Sequence, residues 1–161
     1  MAAAVEPFRG ARSELLPLFA QADDSPAEIN TYINLGEVLV ARPAQRIIGH
    51  VQLIAAGADW EIKSVAVVEK QRGRGIGAAL VRAALDRAFS AGASRVLVAT
   101  ATADIGNLRF YQRLGFRMDR VERDAFRADR GYAGLKVDDI PVRDRVWFSI
   151  HMNDRFTTSP V

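Results

Sequence analysis

The stretch that most constrains this chain reads Val65-Ala-Val-Val-Glu-Lys-Gln-Arg-Gly-Arg-Gly-Ile-Gly-Ala78. An apolar strand-like run ends in a turn of glycine and arginine, and the turn leads straight into a helical pattern. Glycine at 73, 75 and 77 lets a backbone approach a ligand closely. The unpaired N–H groups and the dipole of a helix start favour negative charge. Arg72 and Arg74 add positive charge. The segment therefore predicts an anion site of pyrophosphate type. It is not a P-loop, because the spacing between glycines and the Lys-Ser/Thr pair are missing. A dinucleotide fingerprint would follow the first strand of a βαβ unit, whereas this turn follows several strands. A kinase-type glycine loop lies in a hairpin rather than before a helix.

The strands before it form a meander. Glu37–Ala41, Arg46–Ala55 and Trp60–Val68 are strand-like and separated by Arg42-Pro43 and Gly57-Ala58-Asp59. Simple alternation places Glu61, Lys63, Val65 and Val67 on one face of the third strand. Upstream, Ser25-Pro26-Ala27-Glu28 is a capping box that starts a helix running to Leu35, with Gly36 as its stop. A helix over 13–22 precedes it, weakened by Pro17. Downstream, 75–91 is a helix whose Arg82, Asp86 and Ser90 make a narrow polar stripe, so most of it is buried. A strand at 95–100, a short helix at 107–114 and strands at 116–121 and 145–151 follow. The connection over 122–144 is long, and long loops are often functional.

Length and composition limit the class. A chain of 161 residues corresponds to one domain over 1–161. With 49% hydrophobic and 25% charged residues it is expected to fold as a soluble protein. No apolar run is long enough to span a membrane, and the N-terminal segment lacks the pattern of a signal peptide. A cytoplasmic location is expected. Cysteine is absent, which removes disulfides, thiolate nucleophiles and Cys-based zinc sites. His50 and His151 are the only histidines, so no metal site is expected. The basic residues comprise 19 Arg and 3 Lys, but 19 acids are interleaved with them. That is not the basic stripe of a nucleic-acid binder.

With these features in place, Arg72-Gly73-Arg74-Gly75-Ile76-Gly77 resembles the Q/R-x-x-G-x-G/A signature of the GCN5-related N-acetyltransferases. Val65-Ala66-Val67 stands where that family has its cofactor-binding strand. Asn107-Leu-Arg-Phe-Tyr-Gln-Arg-Leu-Gly-Phe116 is similar to the family's N-x-x-x-x-Y-x-x-x-G-F segment. The motifs cover about residues 60–116, and the order of elements resembles the fold from end to end. The resemblance implies an α/β acyl-CoA N-acyltransferase fold with a mixed, mostly antiparallel sheet flanked by helices. It implies acetyl transfer from acetyl-CoA to a primary amine, small molecule, amino acid or protein terminus, by direct attack in a ternary complex. A non-catalytic acyl-CoA sensor would carry the same turn.

The resemblance also implies roles. The amides of Arg72, Gly73, Arg74, Gly75, Ile76, Gly77 and Ala78 would hold the pyrophosphate. The backbone of Ala66 and Val67 would pair with the pantetheine arm, and the Val67 N–H would polarise the thioester carbonyl. Glu61, six residues before Val67, is the candidate base, since an alkyl ammonium must lose a proton to attack. Tyr111 is the candidate acid toward the leaving thiolate. Asn107 would cap its helix and contact the cofactor. Arg109 and Arg113 read as a solvated face or as phosphate contacts, and the histidines as packed or rim residues. Trp60, Trp147, Phe148 and Tyr132 read as candidates to line an acceptor pocket, with core packing the default for the tryptophans and Tyr132 the better pocket candidate. A primary-amine acceptor is the expected partner, with no nucleic acid and no membrane. A homodimer is left open.

Overall fold

The computed structural model describes residues 3–156. In chain order it has β1 (Val5–Pro7), a 3-10 turn (Arg12–Leu15), α1 (Leu16–Ala22), α2 (Pro26–Tyr32), β2 (Glu37–Ala41), β3 (Gly49–Ala56) and β4 (Asp59–Val67). There follow α3 (Ile76–Ser90), β5 (Arg95–Ala101), α4 (Ile105–Arg113), β6 (Arg117–Glu122), a small hairpin of β7 (Lys136–Val137) and β8 (Ile140–Pro141), and β9 (Arg145–His151). The main sheet has seven strands in the order β1-β2-β3-β4-β5-β9-β6. Every neighbouring pair is antiparallel except β4 with β5.

That exception creates the site. β4 and β5 pair only from Asp59–Ile62 with Arg95–Val98. Beyond Ile62 the β3–β4 register slips: Leu53 faces Ile62 but Gln52 faces Ser64, which leaves Lys63 as one extra residue. Such a bulge bends its strand. From there β4 follows β3 as far as Val67, while β5 follows β9 as far as Ala101. The two strands part, and a gap opens between them.

Two apolar clusters clamp the sheet. On one face α3 buries Leu80, Val81, Ala84, Leu85, Ala88 and Phe89 against β2–β5 and β9. This is the near-continuous apolar face expected from the narrow polar stripe. Burial of each large side chain contributes about 1.5–3 kcal/mol. On the other face, α1 and α2 pack Leu15, Phe19, Ile29 and Tyr32 over Val38, Val40 and Ala66.

Several boundaries differ from the sequence reading. α2 begins as expected, with the Ser25 hydroxyl accepting from the Glu28 N–H at 3.3 Å, but it ends at Tyr32. Arg12 and Gln52 take the carbonyls that would have continued it: Arg12 donates to Ile33, Leu35 and Gly36, and Gln52 to Tyr32 and Leu35. α1 starts at Leu16, so Pro17 sits in the first turn where its missing N–H costs nothing. α4 starts two residues early because Asp104, not Asn107, is its cap: the Asp104 carboxylate accepts from the Asn107 N–H at 3.0 Å. The 122–144 connection is not featureless, since it contains the β7–β8 hairpin.

Candidate active site

The gap is lined on one side by β4 and on the other by Val98–Ala101 of β5, and it opens into a cavity of about 970 Å³. The Val68 N–H donates to the carbonyl of Ile48, just before β3, at 2.8 Å. Backbone groups of successive strand residues point to opposite sides. Val65 and Val67 therefore turn their amides and carbonyls away from β3, into the gap. Ala66 also lines the cavity, with its backbone facing His50 on β3. The strand edge facing the gap belongs to Val65 and Val67, with the Val67 carbonyl accepting from the Arg72 side chain.

At one end of the gap stands the glycine turn. Gly73 and Gly75 have φ of +75° and +79°, and nothing lies within 4 Å of a Cβ built at either position. Gly75 caps α3, and the first helical bond runs from the Ala79 N–H to the Gly75 carbonyl. The amides of Ile76, Gly77 and Ala78 are therefore left without helical partners at the cavity wall. At Gly77 a Cβ would meet the Phe110 ring at 3.5 Å, an ordinary van der Waals contact, so α3 lies against α4 here without packing demanding a glycine. Arg72 spends its donors on the Val67 carbonyl and on the Gln21 side chain, each at 3.0 Å, and so ties the turn to β4 and α1. Arg74 is exposed and is not among the residues lining the cavity.

Tyr111 lies midway along the gap. It is 6% exposed and packed among Phe110, Phe116 and Phe148 at 5.0–5.8 Å between ring centroids. Burial, and secondarily the charge of Asp104, push its phenol above the ordinary range. It is held neutral at physiological pH, as a hydrogen-bond donor. Asn107 reaches the cavity wall and donates its side-chain amide to the Thr100 hydroxyl at 3.1 Å. Glu61 also lines the cavity, 3.8 Å from the Lys63 ammonium. The bulge at Lys63 removes it from the face of Val65 and Val67. Glu61 pairs with Ile54 and shares the α1–α2 side with Ser64 and Ala66, whereas Val65 and Val67 pack toward α3.

The end beneath α1 and α2 is closed by a clasp that no local sequence signal announces. The Asp23 carboxylate accepts from the hydroxyls of Tyr32 and Tyr132, both at 2.8 Å, and from the Ser25 N–H at 3.0 Å. Burial and the Asp23 carboxylate keep both phenols protonated. The Ser25 hydroxyl also donates to the Arg130 carbonyl at 2.6 Å. The 122–144 connection is thus pinned to the α1–α2 turn, with Tyr132 on the cavity wall as expected. An Asp23→Ala substitution strands two buried phenols. It is expected to cost about 2–4 kcal/mol and to lower the thermal midpoint by roughly 4–16 °C, measured by calorimetric unfolding.

The remaining candidates fall outside the cavity or change role. Arg109 and Arg113 point outward from α4. Phe148 is fully buried core and Trp60 a half-buried flank under the Arg87 guanidinium. Trp147 was expected in the core but lines the cavity, its indole N–H donating to Glu122 at 3.2 Å. His151 is exposed at the end of β9, and His50 is wholly buried. Among the described residues no cluster of side chains suits a metal, and no helix is long and apolar enough to cross a membrane.

A parted pair of strands beside a glycine-capped helix is the architecture of acyl-CoA-dependent transferases. The chain matches the Acetyltransferase (GNAT) family over residues 8–116, and it belongs to that family of N-acetyltransferases. It is 32% identical over 114 residues to an uncharacterised N-acetyltransferase, YvbK, of Bacillus subtilis strain 168, a match covering 70% of this chain and 74% of that one. Among solved structures it is similar to a Bacillus subtilis acetyltransferase in complex with CoA, at 26% identity and a TM-score of 0.85, covering 93% of this chain and 99% of that one. A GNAT acetyltransferase from Elizabethkingia anophelis with acetyl-CoA bound is similar at 25% identity and a TM-score of 0.86, covering 92% and 97%. An IAA acetyltransferase from Bacillus cereus ATCC 14579 is similar at 28% identity and 0.83, covering 92% and 100%.

Proposed function

We propose that this protein transfers the acetyl group of acetyl-CoA to a primary amine by direct attack within a ternary complex. The observation that carries the reading is the gap itself. It joins the β4 edge facing the gap, three free helix-start amides and a buried neutral phenol along one cavity. The CoA and acetyl-CoA bound by similar proteins support the same ligand here.

In this reading the pyrophosphate rests on the amides of Ile76, Gly77 and Ala78, where charge-assisted bonds are strong. The pantetheine arm pairs with Val65 and Val67 as an added strand. The Val67 N–H, turned into the gap, donates to the thioester oxygen as negative charge develops there. The amine nitrogen attacks the carbonyl carbon, and the carbon–sulfur bond then breaks. Tyr111 donates to the departing sulfur, and Glu61 receives the proton that the amine must lose. The acceptor enters from the side of Asp24, Glu61, Tyr32 and Tyr132. Three carboxylates there, Asp23, Asp24 and Glu61, favour a cationic acceptor.

Calorimetric titration with acetyl-CoA, CoA and NAD⁺, followed by a thiol-release assay over a panel of amines, tests the proposal. Micromolar binding of acetyl-CoA, no binding of NAD⁺ and turnover of cationic amines are expected. Failure of well-folded protein to bind acetyl-CoA would sink it. Glu61→Gln keeps the side chain's shape but cannot take a proton. Its kcat/KM for the amine is expected to fall by about 10²–10⁴ at neutral pH and to recover as pH nears the amine's own pKa.

A further inference from the structure

His50 is buried in an unusual way. Its side chain on β3 has no solvent exposure and lies against Phe19 of α1, 4.4 Å between ring centroids. Nε2 is 2.8 Å from the Ser64 hydroxyl oxygen, and Nδ1 has no partner among the described residues. Burial lowers its pKa to about 3, so the ring is neutral and carries one proton. On Nδ1 that proton would make an orphaned N–H in the core, which folded proteins rarely tolerate. It therefore belongs on Nε2, which donates to Ser64. This leaves the serine's own hydroxyl proton free to point elsewhere.

Ser64 has somewhere to point it. The residue is 4% exposed, lines the cavity and follows the bulge. With Lys63 as the extra residue of the bulge, Glu61 and Ser64 share the α1–α2 face of β4, where the Lys63 ammonium lies 3.8 Å from Glu61 and 4.9 Å from the centre of the Tyr32 ring. We propose that Ser64, oriented by His50, relays the acceptor ammonium's proton to Glu61. The inference rests on the transfer reading above and deepens it.

The step is a double proton shift. An N–H bond of the ammonium breaks as an O–H bond forms on Ser64, and the original Ser64 O–H proton passes to the Glu61 carboxylate. The His50 N–H···O bond persists throughout and makes the hydroxyl a readier donor. The amine is left with its lone pair, Glu61 is protonated, and Ser64 and His50 are unchanged. Ser64 is a catalytic residue in this scheme and His50 a positioning residue. The charged and titratable groups facing the pair are Glu61 and Lys63 on β4, Asp23 and Asp24 after α1, Tyr32 on α2 and Tyr132 from the 122–144 connection.

The test compares the full-length wild type with Ser64→Ala and Ser64→Thr, using tyramine and spermidine as acceptors from about pH 6.5 to about pH 10.5. Ser64→Ala is expected to lower kcat/KM for the amine by about 10–100-fold near pH 7. The gap should close as the amine becomes neutral in solution, with acetyl-CoA affinity unchanged, and Ser64→Thr should restore most of the rate. A loss that is the same at every pH, or no loss, overturns the relay while leaving the transfer reading intact. Wild-type protein that binds acetyl-CoA but acetylates neither amine overturns the relay together with the transfer reading. In parallel, ¹⁵N spectra of the wild-type imidazoles should show His50 with its proton on Nε2. A proton on Nδ1 overturns the assigned geometry whatever the kinetics.

Discussion

A Gly75→Val chain is expected to bind acetyl-CoA on the order of 100-fold more weakly than the wild type while remaining folded. Gly75 holds a φ of +79° at the cap of α3. A side chain in that region costs about 1–2 kcal/mol, and a β-branched one is a true outlier there. Space is not the obstacle, since nothing lies within 4 Å of the added Cβ. The penalty has two routes out. The chain can keep the conformation at a cost in stability, or it can flip the turn and swing the amides of Ile76, Gly77 and Ala78 off their common target. Each bond from those amides to a phosphate is worth about 1.5–3 kcal/mol. Losing one or two of them as the turn flips gives about 3 kcal/mol, or on the order of 100-fold in affinity. Titration calorimetry measures the affinity, and thermal unfolding separates the two routes. Unchanged affinity together with an unchanged thermal midpoint would mean that the glycine turn is not the anion cradle.

Much of this architecture was legible because its rules are local. The Ser25-Pro26 helix start, the glycine stops at Gly92 and Gly115 and the bounds of β9 all follow from a few adjacent residues, and the structure agrees with them. The glycine turn was legible because three alternating glycines before a buried helix need a reason. Three features were not. The bulge at Lys63 is one residue out of step, and nothing in Glu-Ile-Lys-Ser-Val distinguishes it from a regular strand. Yet it moves Glu61 to the opposite face from Val65 and Val67 and onto that of Ser64. The helix start at Asp104 was masked by Gly106 and by a second good capping residue, Asn107, only three positions on. The Asp23–Tyr132 bond joins residues 109 apart, and the His50–Ser64 bond crosses between strands. Register decides such contacts, and register is set by the whole sheet. The fold was therefore more readable than the acceptor side of the site. The cofactor side is built from backbone and glycine, which leave a pattern in sequence. The acceptor side is built from side chains that meet only in space.

The second large effect is expected at Tyr111. Tyr111→Phe removes one oxygen from a ring packed among three others, so the aromatic contacts survive and the core is kept. Acetyl-CoA affinity is expected to change by less than about threefold, because the contacts proposed for the phosphates and pantetheine lie elsewhere. The rate should fall by about 10²-fold, the low end for loss of a proton donor. The environment says which step suffers. Burial raises the phenol's pKa and keeps it neutral, so it can donate to sulfur but does not act as a base. A thiol resembling cysteine has a pKa near 8.5, below that of Tyr111. Complete proton transfer from phenol to thiolate would then be uphill. The hydrogen bond itself must supply the stabilisation as charge builds on sulfur. The loss in Tyr111→Phe should therefore appear in kcat, and kcat/KM should fall by the same factor. It should also shrink for an acyl donor with a better leaving thiol than CoA. Steady-state kinetics with acetyl-CoA and with an aryl thioester distinguish the cases. A rise in KM for acetyl-CoA with kcat unchanged would place Tyr111 in cofactor packing and move the protonation of sulfur to solvent.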